Sequence, residues 1–257
     1  MSKTRIVFVH GMDGYGVAAW PAQHTLAGNY DCLFLKRTGF DVVEFPVAGD
    51  FAADARIVID ALGRGGHLVA HAQGAVAAMM AAVERPDLIR SLVLVEPALL
   101  SLTAELPATT AYRELVEPLF ARSAELTDTA FSAEFRRLTG AMTGPGNAGQ
   151  STAHSTVHSS TGMTRLAPAE SSARTAARVH LQAPLWDAPL HIVPGVPTLV
   201  LTGGWEPLYE EIAEYLTTTG AMHRMTPGGH RPHDHPEGVQ IITEYIAEQT
   251  LATTDDR

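Results

Sequence analysis

Gly66-His67-Leu68-Val69-Ala70-His71-Ala72-Gln73-Gly74-Ala75-Val76 reads as a buried strand, a sharp turn and the start of a small-residue helix. His67 to Ala70 is a short, mostly apolar run, which suits a strand covered on both faces. From Gly74 to Val83 the chain is Ala, Val and Met throughout, which suits a largely buried helix. A strained strand-to-helix junction of this kind can hold a serine hydroxyl above a sheet, in the pattern G-x-S-x-G. Here the pattern is Ala70-x-Ala72-x-Gly74. A methyl group attacks nothing. Either a serine has been replaced at position 72, or the chain uses this junction without a nucleophile.

The alternation extends outward in both directions. Ile6 to Val9 reads as a strand ending at His10-Gly11, and Val42-Val43-Glu44-Phe45 before Pro46 as a second strand. Ala52 to Leu62 reads as a helix, with Asp54 in its first turn and Gly63 just past its end. After the Gly74 helix, Pro86 and Asp87 break the chain. Ser91 to Val95 is the next strand, stopped at Pro97. Strands alternating with helices imply an α/β fold with a mostly parallel sheet.

The middle differs. Residues 110–126 and 128–138 read as helices. In the second, Phe131, Phe135 and Leu138 form one apolar stripe. Residues 140–172, rich in Gly, Ser, Thr, Ala and Pro, read as a long loop. The sheet pattern returns at Pro197 to Thr202. A helix follows from Pro207 to Leu216, and a last one from Pro236 to about Gln249. The expected organisation is a core of residues 1–100 and 190–257, with residues 101–189 inserted as a helical lid.

Composition narrows the function classes. The 257 residues are 46% hydrophobic and 18% charged, enough for one large α/β domain. A net charge of −10 argues against a nucleic-acid partner and against an anionic membrane. One cysteine, Cys32, excludes an internal disulfide framework. No basic, apolar leader opens the chain, so a cytoplasmic protein is expected.

Four pieces carry a resemblance to the α/β-hydrolase family: the His10-Gly11 turn, the junction at Ala72, the strand end Val95-Glu96-Pro97, and Gly228-Gly229-His230. They cover roughly residues 5–100 and 190–250. The order nucleophile, acid, histidine is that of the family. The resemblance implies His230 as general base. It implies oxyanion donors at the backbone amides of Gln73, just after the nucleophile position, and Met12. Two residues compete as the acid. Glu206, in Gly203-Gly204-Trp205-Glu206-Pro207, stands where most members place theirs. Glu96, 24 residues after position 72, stands where the zearalenone lactonases place a glutamate, and is preferred. An acid ending an apolar strand also needs a partner once it is buried.

The expected substrate is therefore an ester or lactone of a lipophilic small molecule, with Gly11, Met163 and Trp186 as candidate contacts. The alternative is a non-hydrolytic enzyme on the same fold, such as a cofactor-independent oxygenase, lyase or cyclase using a histidine dyad, or a ligand-binding pseudoenzyme. No metal is expected, because His154 with His158, and His233 with His235, lack a third ligand. No cofactor is expected either, because Gly11-x-x-Gly14-x-Gly16 departs from the dinucleotide-binding glycine order.

Overall fold

The computed structural model describes residues 3–12, 14–141 and 168–255. Its centre is a six-stranded, wholly parallel sheet in the order β2-β1-β3-β4-β5-β6. The strands are β1 (Arg5–Val9), β2 (Asp31–Phe34), β3 (Gly66–His71), β4 (Ile89–Val95), β5 (Thr198–Thr202) and β6 (Met222–Met225). Parallel neighbours need crossovers, and here these are mostly helical. The helices are α1 (Phe51–Leu62), α2 (Gly74–Glu84), α6 (Pro207–Thr218) and α7 (Pro236–Asp255). Between β4 and β5 the chain makes α3 (Pro107–Ala121), α4 (Asp128–Ala141) and α5 (Pro168–His180).

Alternation along the strands sorts their side chains onto two faces. Val7, Val9, Leu68, Ala70, Leu92, Leu94 and Val200 pack beneath α1, α2 and α6. Ile6, Phe8, Val69, Val93, Val95, Leu199 and Leu201 pack against Trp20 and against Ile242, Tyr245 and Ile246 of α7. The small side chains of α2 are almost all buried, which lets this helix lie close to the sheet.

Two sequence expectations are corrected. Val42 to Phe45 is not a strand; the second strand is Asp31–Phe34, paired with Arg5–Phe8. The Asp41 carboxylate accepts the N–H groups of Val43 (2.7 Å) and Glu44 (3.1 Å), which turns the chain locally. The carbonyls of Asp41, Val43 and Glu44 then accept from Arg178 and Arg174 of α5. This is side chain-to-backbone bonding displacing a sheet ladder. The second correction concerns the loop expected over 140–172, which gives way to α5 at Pro168. Residues 142–167 lie outside the described residues.

Two buried histidines of the core strands and their ends are paired. His67, fully buried in β3, contacts the hydroxyls of Ser91 (2.8 Å) and Thr250 (2.9 Å), tying the sheet to α7. His10 accepts the Arg37 N–H at Nε2 (3.1 Å), so its proton sits on Nδ1 and is donated to the Gly11 carbonyl at 2.8 Å. Burial, with Arg37 nearby, lowers His10 to about 3. Burial lowers His67 to about 4.

Both imidazoles are neutral in the folded chain and charge near pH 6.5 once exposed by unfolding. Below 6.5 the unfolded state therefore binds more protons, and stability is lost as pH falls from 6.5 towards 4. The slope is about 1.4 kcal/mol per pH unit for each histidine. Urea unfolding at pH 7.5 and 5.0 should show a loss of at least ~2 kcal/mol. Equal stabilities at the two pH values would contradict this assignment.

Candidate active site

The register His71↔Val95 places Ala72 and Glu96 side by side at the ends of β3 and β4. Among the described residues these are the two non-glycine positions with positive φ, 49° and 46°. A β-carbon in that region costs roughly 1–2 kcal/mol. The sheet holds both residues there: Ala72 donates to the Val95 carbonyl (3.0 Å) and Glu96 to the Leu201 carbonyl (2.9 Å).

Two glycines make the junction at position 72 possible. A β-carbon on Gly74 would lie 2.6 Å from the carbonyl oxygens of both Val9 and His10, so the start of α2 can press against the end of β1 only without a side chain. A β-carbon on Gly11 would lie 3.0 Å from the Ala72 methyl, so the loop after β1 rests directly on residue 72.

Glu96 is fully buried and aims across the top of the sheet. One carboxylate oxygen accepts the Gly203 N–H at 2.6 Å. The other accepts the Trp205 indole N–H at 3.0 Å and lies 3.6 Å from His230 Nδ1. Burial pushes the carboxyl above the ordinary glutamate range; His230, Gly203 and Trp205 pull it back. The His230 loop reaches this position because Gly203 and Gly229 touch backbone to backbone: a β-carbon on Gly203 would fall 2.0 Å from the Gly229 carbonyl oxygen. Gly228 and Gly229 both have positive φ, 126° and 57°.

The other acid candidate, Glu206, caps α6, accepting the Leu208 N–H at 3.5 Å. Burial and the nearby Glu96 push its carboxyl up. The structure thus sets Glu96 against His230 and gives Glu206 a helix-capping contact.

The amide N–H groups of Met12 and Gln73 donate to no acceptor among the described residues. Both residues line a narrow slot with a cavity volume of ≈ 20 Å³, whose wall continues through Leu100, Tyr112, Phe120 and Trp186. Trp186 is therefore beside the slot, and Gly11 beneath residue 72. Met163 lies outside the described residues, as do His154 and His158. Among the described residues no group of three or more His, Cys, Asp or Glu side chains is placed to hold a metal. None of the described helices is long and apolar enough to cross a membrane.

Three neighbours of the site were not singled out from the sequence. Trp205 sits in a glycine turn, and its N–H donation to Glu96 depends on tertiary approach. His71 donates Nε2–H to the His230 carbonyl at 2.8 Å, and its ring lies 4.7 Å from that of His230. Burial, then His230, His233 and Arg231, hold His71 well below the ordinary histidine range, so it stays neutral. Arg37 lies under the Gly11 loop. No sequence signal marks it, because it is brought there by the β1–β2 pairing.

The family described as alpha/beta hydrolase matches residues 6–239. The chain belongs to the alpha/beta hydrolase family. Solved structures agree on the fold. A haloalkane dehalogenase loop variant from Bradyrhizobium elkanii has a TM-score of 0.62 at 18% identity, covering 99% of this chain and 92% of its own. NosK from Streptomyces actuosus has a TM-score of 0.60 at 22% identity, covering 97% of this chain and 100% of its own. The carboxylesterase CesB from Bacillus subtilis has a TM-score of 0.58 at 14% identity, covering 95% and 84%. No curated protein matches the sequence. In this alpha/beta hydrolase the described sheet has six strands, and Glu96 directly follows β4.

The Gly203–Gly229 contact can be tested. Gly203→Ala forces the two loops apart. It should lower stability by about 1–3 kcal/mol, read by thermal unfolding, and lengthen the Glu96–His230 separation in a crystal structure. An unchanged separation would show that the contact does not set it.

Proposed function

We propose that this site binds the ester or lactone of a lipophilic small molecule, and that with serine at position 72 it hydrolyses that bond. The observation that carries the reading is the pairing of two unengaged amide donors, Met12 and Gln73, with buried Glu96 and part-exposed His230, both at the strained position 72. In the serine form His230 takes the hydroxyl proton as the oxygen attacks the carbonyl, and later returns it to the leaving alcohol. Glu96 orients the imidazole. The Met12 and Gln73 amides stabilise the tetrahedral oxyanion, each contributing about 10²–10³ in turnover. Ala72 reads as the replacement of a serine: the chain holds substrate but forms no acyl-enzyme, a loss on the order of a million-fold.

The apolar slot favours a lipophilic substrate. The lactone preference rests on the glutamate after β4, as in the zearalenone lactonases. We read α3, α4 and α5 as a lid that must shift for a ligand to enter so narrow a slot. A second reading is favoured by one feature: the Glu96–His230 couple does not depend on residue 72. It could take a proton directly from a bound substrate, as a non-hydrolytic enzyme on this fold would.

Ala72→Ser, assayed on aryl esters and macrolactones beside the parent and Ala72→Ser/His230→Ala, separates the two readings. The hydrolase reading expects turnover in the serine form alone. His230-dependent conversion by the Ala72 protein, with no hydrolysis gained from serine, would replace it with the second reading. In the serine form, Glu96→Gln should cost about 10⁴ in kcat. Glu206→Gln should cost less than about tenfold, since a lost cap acts through stability. The reverse order would make Glu206 the acid.

A further inference from the structure

Beneath the Gly11 loop lies a buried ion pair that the reaction above does not use. Arg37 and Asp54 are both almost fully buried, with Arg37 Nη1 3.3 Å from Asp54 Oδ2. The other Asp54 oxygen accepts the Thr38 N–H at 2.7 Å. Arg37 Nη2 donates to the Gly11 carbonyl at 3.2 Å and to Gln182 Oε1 at 3.3 Å. Arg37 Nε, also buried, has no partner among the described residues. A buried pair that leaves a guanidinium N–H unmatched is a poor stabilising device compared with apolar packing of the same volume. Its placement therefore calls for another explanation.

The peptide group supplies one. The Gly11 carbonyl is held by two donors on the same side, Arg37 Nη2 and His10 Nδ1. The peptide joining Gly11 to Met12 is trans, as no cis bond occurs among the described residues. In a planar trans peptide the C=O and the following N–H point in opposite directions. Fixing the Gly11 oxygen towards Arg37 and His10 therefore turns the Met12 N–H away from them, and Met12 itself lines the slot with Gln73.

We propose that Arg37, anchored by Asp54, is a positioning residue for the oxyanion hole: it clamps the Gly11 carbonyl so that the Met12 amide is aimed before substrate arrives. This rests on the reading of Met12 as an oxyanion donor. The clamp also reaches the helical segment between β4 and β5. Gln182 follows α5, and its own amide nitrogen donates to the Arg178 carbonyl at 3.0 Å. The guanidinium that fixes the oxyanion loop thus also grips the end of α5.

The test uses Arg37→Met/Asp54→Leu, which removes both charges together and leaves neither one buried alone. In the Ala72 protein, a crystal structure of this variant reads the Gly11–Met12 peptide directly, whatever the catalytic outcome. A rotated peptide, or two orientations, is expected; a single unchanged orientation overturns the proposal. In the Ala72→Ser form, hydrolysis of p-nitrophenyl butyrate should lose about 10²–10³-fold in kcat, with KM within about threefold. A kcat within about threefold of its parent, or a change confined to KM, overturns it. Should the double variant not fold, Arg37→Lys keeps a charge against Asp54 without the planar fork. The same split between kcat and KM is then expected. If the serine form hydrolyses nothing, the hydrolase reading fails, and the peptide orientation alone decides the clamp.

Discussion

Two residues leave adjacent central strands at the same level of the sheet, both forced into left-handed backbone. That juxtaposition of Ala72 and Glu96 is what the remainder of the site depends on. Side chains alternate with a period of two, so a slip of one residue between β3 and β4 would move a whole set of buried groups to the opposite face. The register is protected because both strands are covered on both sides; Leu68, Val69, Leu92 and Val93 have no exposed surface. The strain is borne by backbone hydrogen bonds that continue the ladder past the strand ends, to Val95 and Leu201. Local distortion persists where the surroundings over-determine it, and such positions cluster at functional sites.

Electrostatics near position 72 follow from the same burial. His10, His71 and His233 are all held neutral, mainly by loss of water around the imidazole. No imidazolium among these three competes for the carboxylate of Glu96. That carboxylate has an N–H donor on each oxygen, from Gly203 and Trp205, before His230 is considered. A buried acid so supplied keeps a fixed orientation, which is what an orienting group needs.

Much of this could be read from the chain. The β3–turn–α2 junction is legible because its signals are local: a short apolar run, a glycine where the backbone crowds, and small residues in the helix. The same is true of β1, β4, β5 and α6. Val42 to Phe45 misleads because its β-branched and aromatic residues fit a strand, while the deciding contacts come from Asp41 and from arginines about 130 residues away. His230 and Glu96 carry recognisable flanks. Trp205, His71 and Arg37 do not, because each acts through a partner distant in sequence, and neither spacing nor composition encodes such an approach. Asp54 shows the limit well. In sequence it is a first-turn acid suited to a helix dipole; in the fold it anchors a guanidinium beneath a loop.

The contact between Gly203 and Gly229 has a further consequence for the order in which the molecule is built. As the chain leaves the ribosome, β1, β3, α2 and β4 emerge within the first hundred residues, and they alone form the junction at position 72 and the loop that rests upon it. The donor pair that receives Glu96 arrives about a hundred residues later, and the histidine later still. Contacts so distant in sequence close only after the intervening chain has been ordered. During synthesis the junction at position 72 thus precedes both the donors to Glu96 and the histidine set against it. The slot itself is completed later, because Tyr112, Phe120 and Trp186 also form its wall.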